Sequence, residues 1–122
     1  MSMIGIQYLV DIFNVDASLI ASVDWLYDHF RNSLAMGGMK IVGVGKRHTF
    51  PNIGSTFLFI LQESHASLHS YPEHNYIAVD IFVCSDKDPQ KAVDFFLKGL
   101  NRDINVNSKV LERGSTLREG ES

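Results

Sequence analysis

The sequence predicts an α+β fold, a two-layer sandwich of one mainly antiparallel sheet with two helices on one face (a β-α-β-β-α-β type). Three observations predict it. Apolar residues recur with period two in several short runs and at three- and four-residue steps in two others. The order is strand, helix, several strands, helix, strand, in a 122-residue chain too short for a second core. Hairpin-length connections link the middle strands, which favours antiparallel pairing.

The elements follow in order. Residues 4–14, IGIQYLVDIFN, are rich in branched and aromatic side chains with Gln7 and Asp11 interspersed, the pattern of a strand. Asp16 and Ser18 offer caps for a helix whose apolar stripe is Leu19, Ile20, Val23, Leu26, Tyr27, Phe30 and Leu34. Gly37-Gly38 ends it, since glycine tolerates the left-handed conformation of helix ends. Lys40–Val44 and Thr56–Leu61 read as strands, separated by the turn region KRHTFPNIGS. A strand over His65–Ser70 precedes Pro72, and Tyr76–Cys84 (YIAVDIFVC) is the strongest strand of all. Asp88-Pro89 reads as N-cap and first helical residue. Ala92, Val93, Phe96, Leu97 and Leu100 form the buried stripe of this second helix. A last strand around Ile104–Leu111 closes a single domain over residues 1–113, and the polar residues 114–122 are expected to be a mobile tail. One sheet face is left uncovered by the helices, a natural place for a partner subunit.

Composition excludes several classes. Eleven basic residues against fourteen acidic ones, net charge −3, argue against nucleic-acid binding. No apolar run reaches the roughly 18 residues of a membrane span, and the start has no basic segment ahead of its apolar stretch, so a cytoplasmic location is expected. The single cysteine, Cys84, has no internal disulfide partner.

Reactive residues concentrate in the segment ESHASLHSYPEHNYIAVDIFVC, residues 63–84. His65 and His69 are four apart, which on a helix would suit a metal. On a strand the same spacing separates them by about 13 Å. Cys84 or Ser64 could pair with a histidine as nucleophile and base, or Cys84 could be a small buried hydrophobe. The residues alone leave these open.

The string Glu63-Ser64-His65, then His69, Tyr71-Pro72-Glu73, Ala78-Val79-Asp80-Ile81-Phe82 and Cys84, resembles the short prokaryotic S-adenosylmethionine decarboxylases. That family carries ESHxSIHTWPE and GYAAxDxFTC with the same Ser–His–Cys spacing. The resemblance extends over about residues 4–113, including His48-Thr49-Phe50-Pro51 and Glu112-Arg113-Gly114. It implies a proenzyme that cuts itself between Glu63 and Ser64 into chains 1–63 and 64–122. Ser64 becomes a pyruvoyl group, the self-derived cofactor, which forms a Schiff base with the amine of S-adenosylmethionine. By the same resemblance His69 is the processing base, Cys84 the proton donor, and Thr56 or Ser55 a hydroxyl that assists processing. Glu73 and Phe50 would bind substrate, no metal takes part, and the protomers form a homodimer. The product is the aminopropyl donor for spermidine synthesis. The sequence departs from the pattern at Gln7, where a histidine is usual, and at His69-Ser70-Tyr71-Pro72-Glu73-His74-Asn75-Tyr76. These changes lie around the substrate pocket. The alternatives are therefore a pyruvoyl-dependent decarboxylase of ornithine or arginine, or a non-catalytic relative that keeps the fold.

Overall fold

The computed structural model describes residues 4–62, 64–84 and 86–114. These form β1 (Gly5–Phe13), α1 (Ala17–Ala21), α2 (Val23–Met36), β2 (Lys46–Thr49), β3 (Ser55–Leu61), β4 (Ser64–Tyr71), β5 (Tyr76–Cys84), α3 (Pro89–Lys98) and β6 (Asn105–Arg113), with a 3-10 turn at Pro72–His74. The strands make one antiparallel sheet in the order β2-β3-β4-β5-β1-β6. The α+β sandwich expected from the sequence is therefore present.

Strand alternation divides the sheet into two unlike faces. Val10 and Ile12 of β1, Phe57 and Phe59 of β3, Ala66 and Leu68 of β4, and Ile77, Val79 and Ile81 of β5 are buried on one side. Leu26, Phe30 and Leu34 of α2 and Ala92, Val93 and Phe96 of α3 cover them. The two helices lock together where His29 stacks on Phe96 at 5.1 Å and its Nε2 donates to the Phe96 carbonyl at 2.9 Å. The opposite face carries His65, Ser67, His69, Tyr76, Asp80 and Cys84 and has no helix on it.

Two expectations need correction. The first helix is broken at Ser22, which ends α1 and starts α2. Its hydroxyl donates back to the Ser18 carbonyl at 2.8 Å, a bond that competes with the helical ladder and bends the chain. The apolar run Lys40–Val44 is not a strand. Ile41 forms an isolated bridge to Leu61, and Gly43 turns the chain at a φ of +71°. The strand lies instead in Lys46–Thr49, inside the stretch read as a turn. All four residues are exposed, so no apolar alternation marks it; Arg47 anchors it to α2 by pairing with Asp24 and lying 4.6 Å over the Tyr27 ring. The caps at the second helix agree with expectation, with the Asp88 side chain accepting from the Lys91 N–H at 3.0 Å and Pro89 at the first turn. Of the expected tail, residues 115–122 lie outside the described residues.

Phe59 is fully buried, with its ring 5.1 Å from Tyr27 and 5.7 Å from Phe30. Phe59→Ala is expected to lower the unfolding free energy by about 3–5 kcal/mol. Urea denaturation measures it, and a loss below about 1 kcal/mol would show that the core collapses around the gap.

Candidate active site

The expected site residues fall at two ends of the sheet, His69, Thr56 and Cys84 on its uncovered face and Ser64 and Ser55 on the helix side. At one end Thr56 and His69 are cross-strand partners on β3 and β4, and Thr56 Oγ1 lies 3.0 Å from His69 Nδ1. The imidazole tautomer sets which of the two donates; with the proton on Nδ1, Nε2 is left as the acceptor. The pair lines a cavity of about 400 Å³ together with Phe50, Asn52, Tyr71 and Glu73. Phe50 is half-exposed and packs edge-on against His48 at 4.6 Å. Pro72–His74, a turn with proline at its start, lifts Glu73 over the cavity mouth. Ser55 also lines this cavity but makes no hydrogen bond to His69. It is 1% exposed, shares the helix side with Phe57, and its N–H donates to Ser70 Oγ at 2.9 Å. Of the two candidate hydroxyls, Thr56 is the one that touches the histidine.

Ser64 and Cys84 lie at the other end. Ser64 opens β4, half-buried, as the cross-strand partner of Leu61. By alternation its side chain shares the side of Ala66. Glu63 lies outside the described residues. His65 pairs with Phe82, which puts Ser64 and Cys84 at the same end of neighbouring strands, about 4.8 Å apart in the pairing direction. Cys84 is half-buried and faces the uncovered side, cross-strand from Gly5. Gly5 has no side chain, and the Phe82 ring occupies the space above it. Arg113 lies 5.2 Å over that ring and donates to Gln7 Oε1 at 2.7 Å.

The two ends do not meet within one chain. His69 pairs with Ala78, five residues along β4 from Ser64 and six along β5 from Cys84. A strand rise near 3.3 Å makes those separations about 17 and 20 Å. Between the ends lies a second cavity of about 360 Å³, lined among others by Asp11, Tyr76, Asp80 and Lys109. Sequence reading singles out neither Asn52 nor this central group. The carboxylates and the tyrosine belong to two neighbouring strands, β1 and β5, with Lys109 on β6, and converge through the register. Among the described residues no group of three or more His, Cys, Asp or Glu side chains could hold a metal ion.

Fold and cavity together define a two-layer α+β protein with a cavity at one end of its uncovered sheet face. A family model for S-adenosylmethionine decarboxylase matches residues 6–114, and the chain belongs to that family. It is 33% identical over 92% of its length to an S-adenosylmethionine decarboxylase proenzyme of Persephonella marina, covering 84% of that protein. It is 34% identical over 93% of its length to an S-adenosylmethionine decarboxylase proenzyme 2 of Bacillus cereus, covering 91% of it. The crystal structure of the adenosylmethionine decarboxylase from Aquifex aeolicus superposes with a TM-score of 0.79 at 26% identity, over all of this chain and 98% of that one.

Burial and the hydrogen bond to Asp11 push the Tyr76 phenol up to about 12. An acid that the fold keeps protonated contributes stability in full below its unfolded pKa, near 10, and loses it as pH rises through the folded value. Stability is expected to fall between about pH 10 and 12, with a shallower fall in Tyr76→Phe. Thermal melts across that window measure it; identical slopes for the two proteins would exclude the Asp11 bond as the cause.

Proposed function

We propose that this chain decarboxylates S-adenosylmethionine with a pyruvoyl group made from its own Ser64, working as a homodimer in the cytoplasm. One observation carries the reading. In a member of this family, a threonine–histidine pair lines a cavity with Glu73 and Phe50 at one end of an open sheet face, while Cys84 on that face and Ser64 at the start of β4 stand at the other end of the sheet. A two-fold stacking of two such faces, strands reversed, would bring the Ser64 end of one protomer against the His69 end of the next. That makes each site from both chains and closes a gap of about 17 Å that neither can close alone.

Processing starts when the Ser64 hydroxyl attacks the Glu63 carbonyl and turns the amide into an ester. Nε2 of the partner's His69 then takes the Ser64 α-proton, the ester bond breaks, and residue 63 leaves as a carboxylate. Water replaces the nitrogen of the remaining dehydroalanine, ammonia departs, and a ketone is left at residue 64. The residues present fit such a group. A hydroxyl stands at the first position of a strand, at the sheet end that also holds Cys84, and cutting would free that end of β4 to turn toward the open face. The pyruvoyl group supplies a carbonyl that takes the substrate's amine and draws in the electrons of the breaking carboxylate bond. Cys84 returns a proton to the α-carbon from its Sγ–H. Glu73 can accept two hydrogen bonds from the ribose hydroxyls, and Phe50 offers a face to the adenine or the sulfonium cation.

The wild-type protein is expected to separate on denaturation into two masses meeting between Glu63 and Ser64, whereas Ser64→Ala stays whole. Carbon dioxide release from S-adenosylmethionine, ornithine and arginine side by side settles the substrate. The shared site has its own test. Ser64→Ala and His69→Ala each remain uncut when made alone, but co-expression cuts the His69→Ala chain. If co-expression leaves both chains whole while the wild type is cut, the histidine acts within its own chain. Cys84→Ala is expected to be cut and to lose at least about 100-fold in decarboxylation; full turnover would assign the proton to another acid.

A further inference from the structure

Asn52 is absent from the sequence argument, yet its side chain makes contacts at both ends. Its Oδ1 accepts from the Gly54 N–H at 3.0 Å, and its Nδ2 donates to Glu73 Oε1 at 3.3 Å. The first bond orients the amide, so the donor is aimed rather than free to rotate. The turn around it is tightly made. Phe50 N–H donates to the Gly54 carbonyl at 2.7 Å, and Ile53 N–H to the Phe50 carbonyl at 2.8 Å.

Ile53 sits at a φ of +72°, in the left-handed region. A β-branched residue stays there only where its surroundings hold it. Gly54 packs so closely that a Cβ there would stand 3.0 Å from the Ser70 carbonyl oxygen and 3.2 Å from Pro72 Cδ. The turn therefore leans on the strand end and proline that precede Glu73. A strained, closed turn thus presents one amide donor to the one carboxylate that lines the cavity.

We infer that Asn52 is a positioning residue that fixes the Glu73 carboxylate for recognition of a vicinal diol, the ribose of a nucleoside substrate. This rests on the functional reading above. Asn52 holds Glu73 Oε1 and the residue lines the cavity, so the diol meets a preset acceptor in place of a rotating one. The ribose is remote from the reacting carbon, so the contact acts on ground and transition states alike and belongs in KM rather than kcat.

Asn52→Asp separates the two contacts. Aspartate still accepts from Gly54 N–H, so the turn is kept, but it cannot donate to Glu73 and repels it. KM for S-adenosylmethionine is expected to rise about tenfold, with kcat falling by much less. The Kd of 5′-methylthioadenosine, the nucleoside part of that substrate, follows KM in calorimetry. Asn52→Ala raises KM about fivefold. In a Glu73→Gln background the Asn52→Asp penalty shrinks below about twofold, because the repelling charge is gone. Self-cleavage and melting temperature of each variant show that it has folded. An active wild type with KM and Kd unchanged in both Asn52 variants overturns the positioning role alone, as does a full penalty in the Glu73→Gln background. A wild type that is cut but neither releases carbon dioxide from S-adenosylmethionine nor binds the nucleoside overturns the functional reading, and the inference with it.

Discussion

Period-two alternation along β4 and β5 is the constraint on which everything else rests. Both strands run unbroken for eight or nine residues and pair with each other throughout, from His65–Phe82 to Tyr71–Tyr76. Their even and odd positions are thereby committed, one set to the core beneath the helices and the other to the uncovered face. The same ladder holds Ser64 and His69 apart. No imidazole spans about 17 Å, and sliding β4 by the needed five residues would break two ladders and, five being odd, turn its buried set outward. The proposed processing, in which Ser64 and His69 act on each other, therefore calls for a second copy of the sheet.

What the sequence revealed depended on how each element announces itself. Strands with one buried face, such as FLFIL and IAVDIFV, show the period directly, and the second helix carries both its cap and its stripe. The edge strand Lys46–Thr49 shows nothing, because all its side chains are exposed and it is held by pairing to β3 and by the Arg47 contacts to α2. The apolar run before it misleads because Gly43 reverses the chain in its middle. The helix break is hidden because Ser22 lies between apolar residues at helical spacing on both sides; a back-bonded hydroxyl leaves no periodic trace. At the site, the reactive types and their spacing were legible. The choice between Ser55 and Thr56 was not, since it turns on which of two adjacent residues faces the histidine, and one step of register decides that.

Topology also explains how a chain could be cut in its middle and remain one body. A break before Ser64 puts β1, β2 and β3 on one fragment and β4, β5 and β6 on the other. In the sheet order these alternate, so three of the five strand pairings, β3–β4, β5–β1 and β1–β6, join the two fragments. β1 lies between β5 and β6, with ladders on both of its edges. The core is mixed in the same way, with Phe30 of the first fragment against Phe96 of the second. Separation would expose the buried faces of central strands and leave their backbone groups unpaired at once, a loss on the scale of unfolding. Cutting therefore costs the fold one connection between β3 and β4 and removes none of the surfaces that hold it. The strand end such a cut would release carries residue 64, while His69 lies five residues further along β4, paired with Ala78 of β5 and bonded to Thr56 of β3 across the ladder that joins the two fragments.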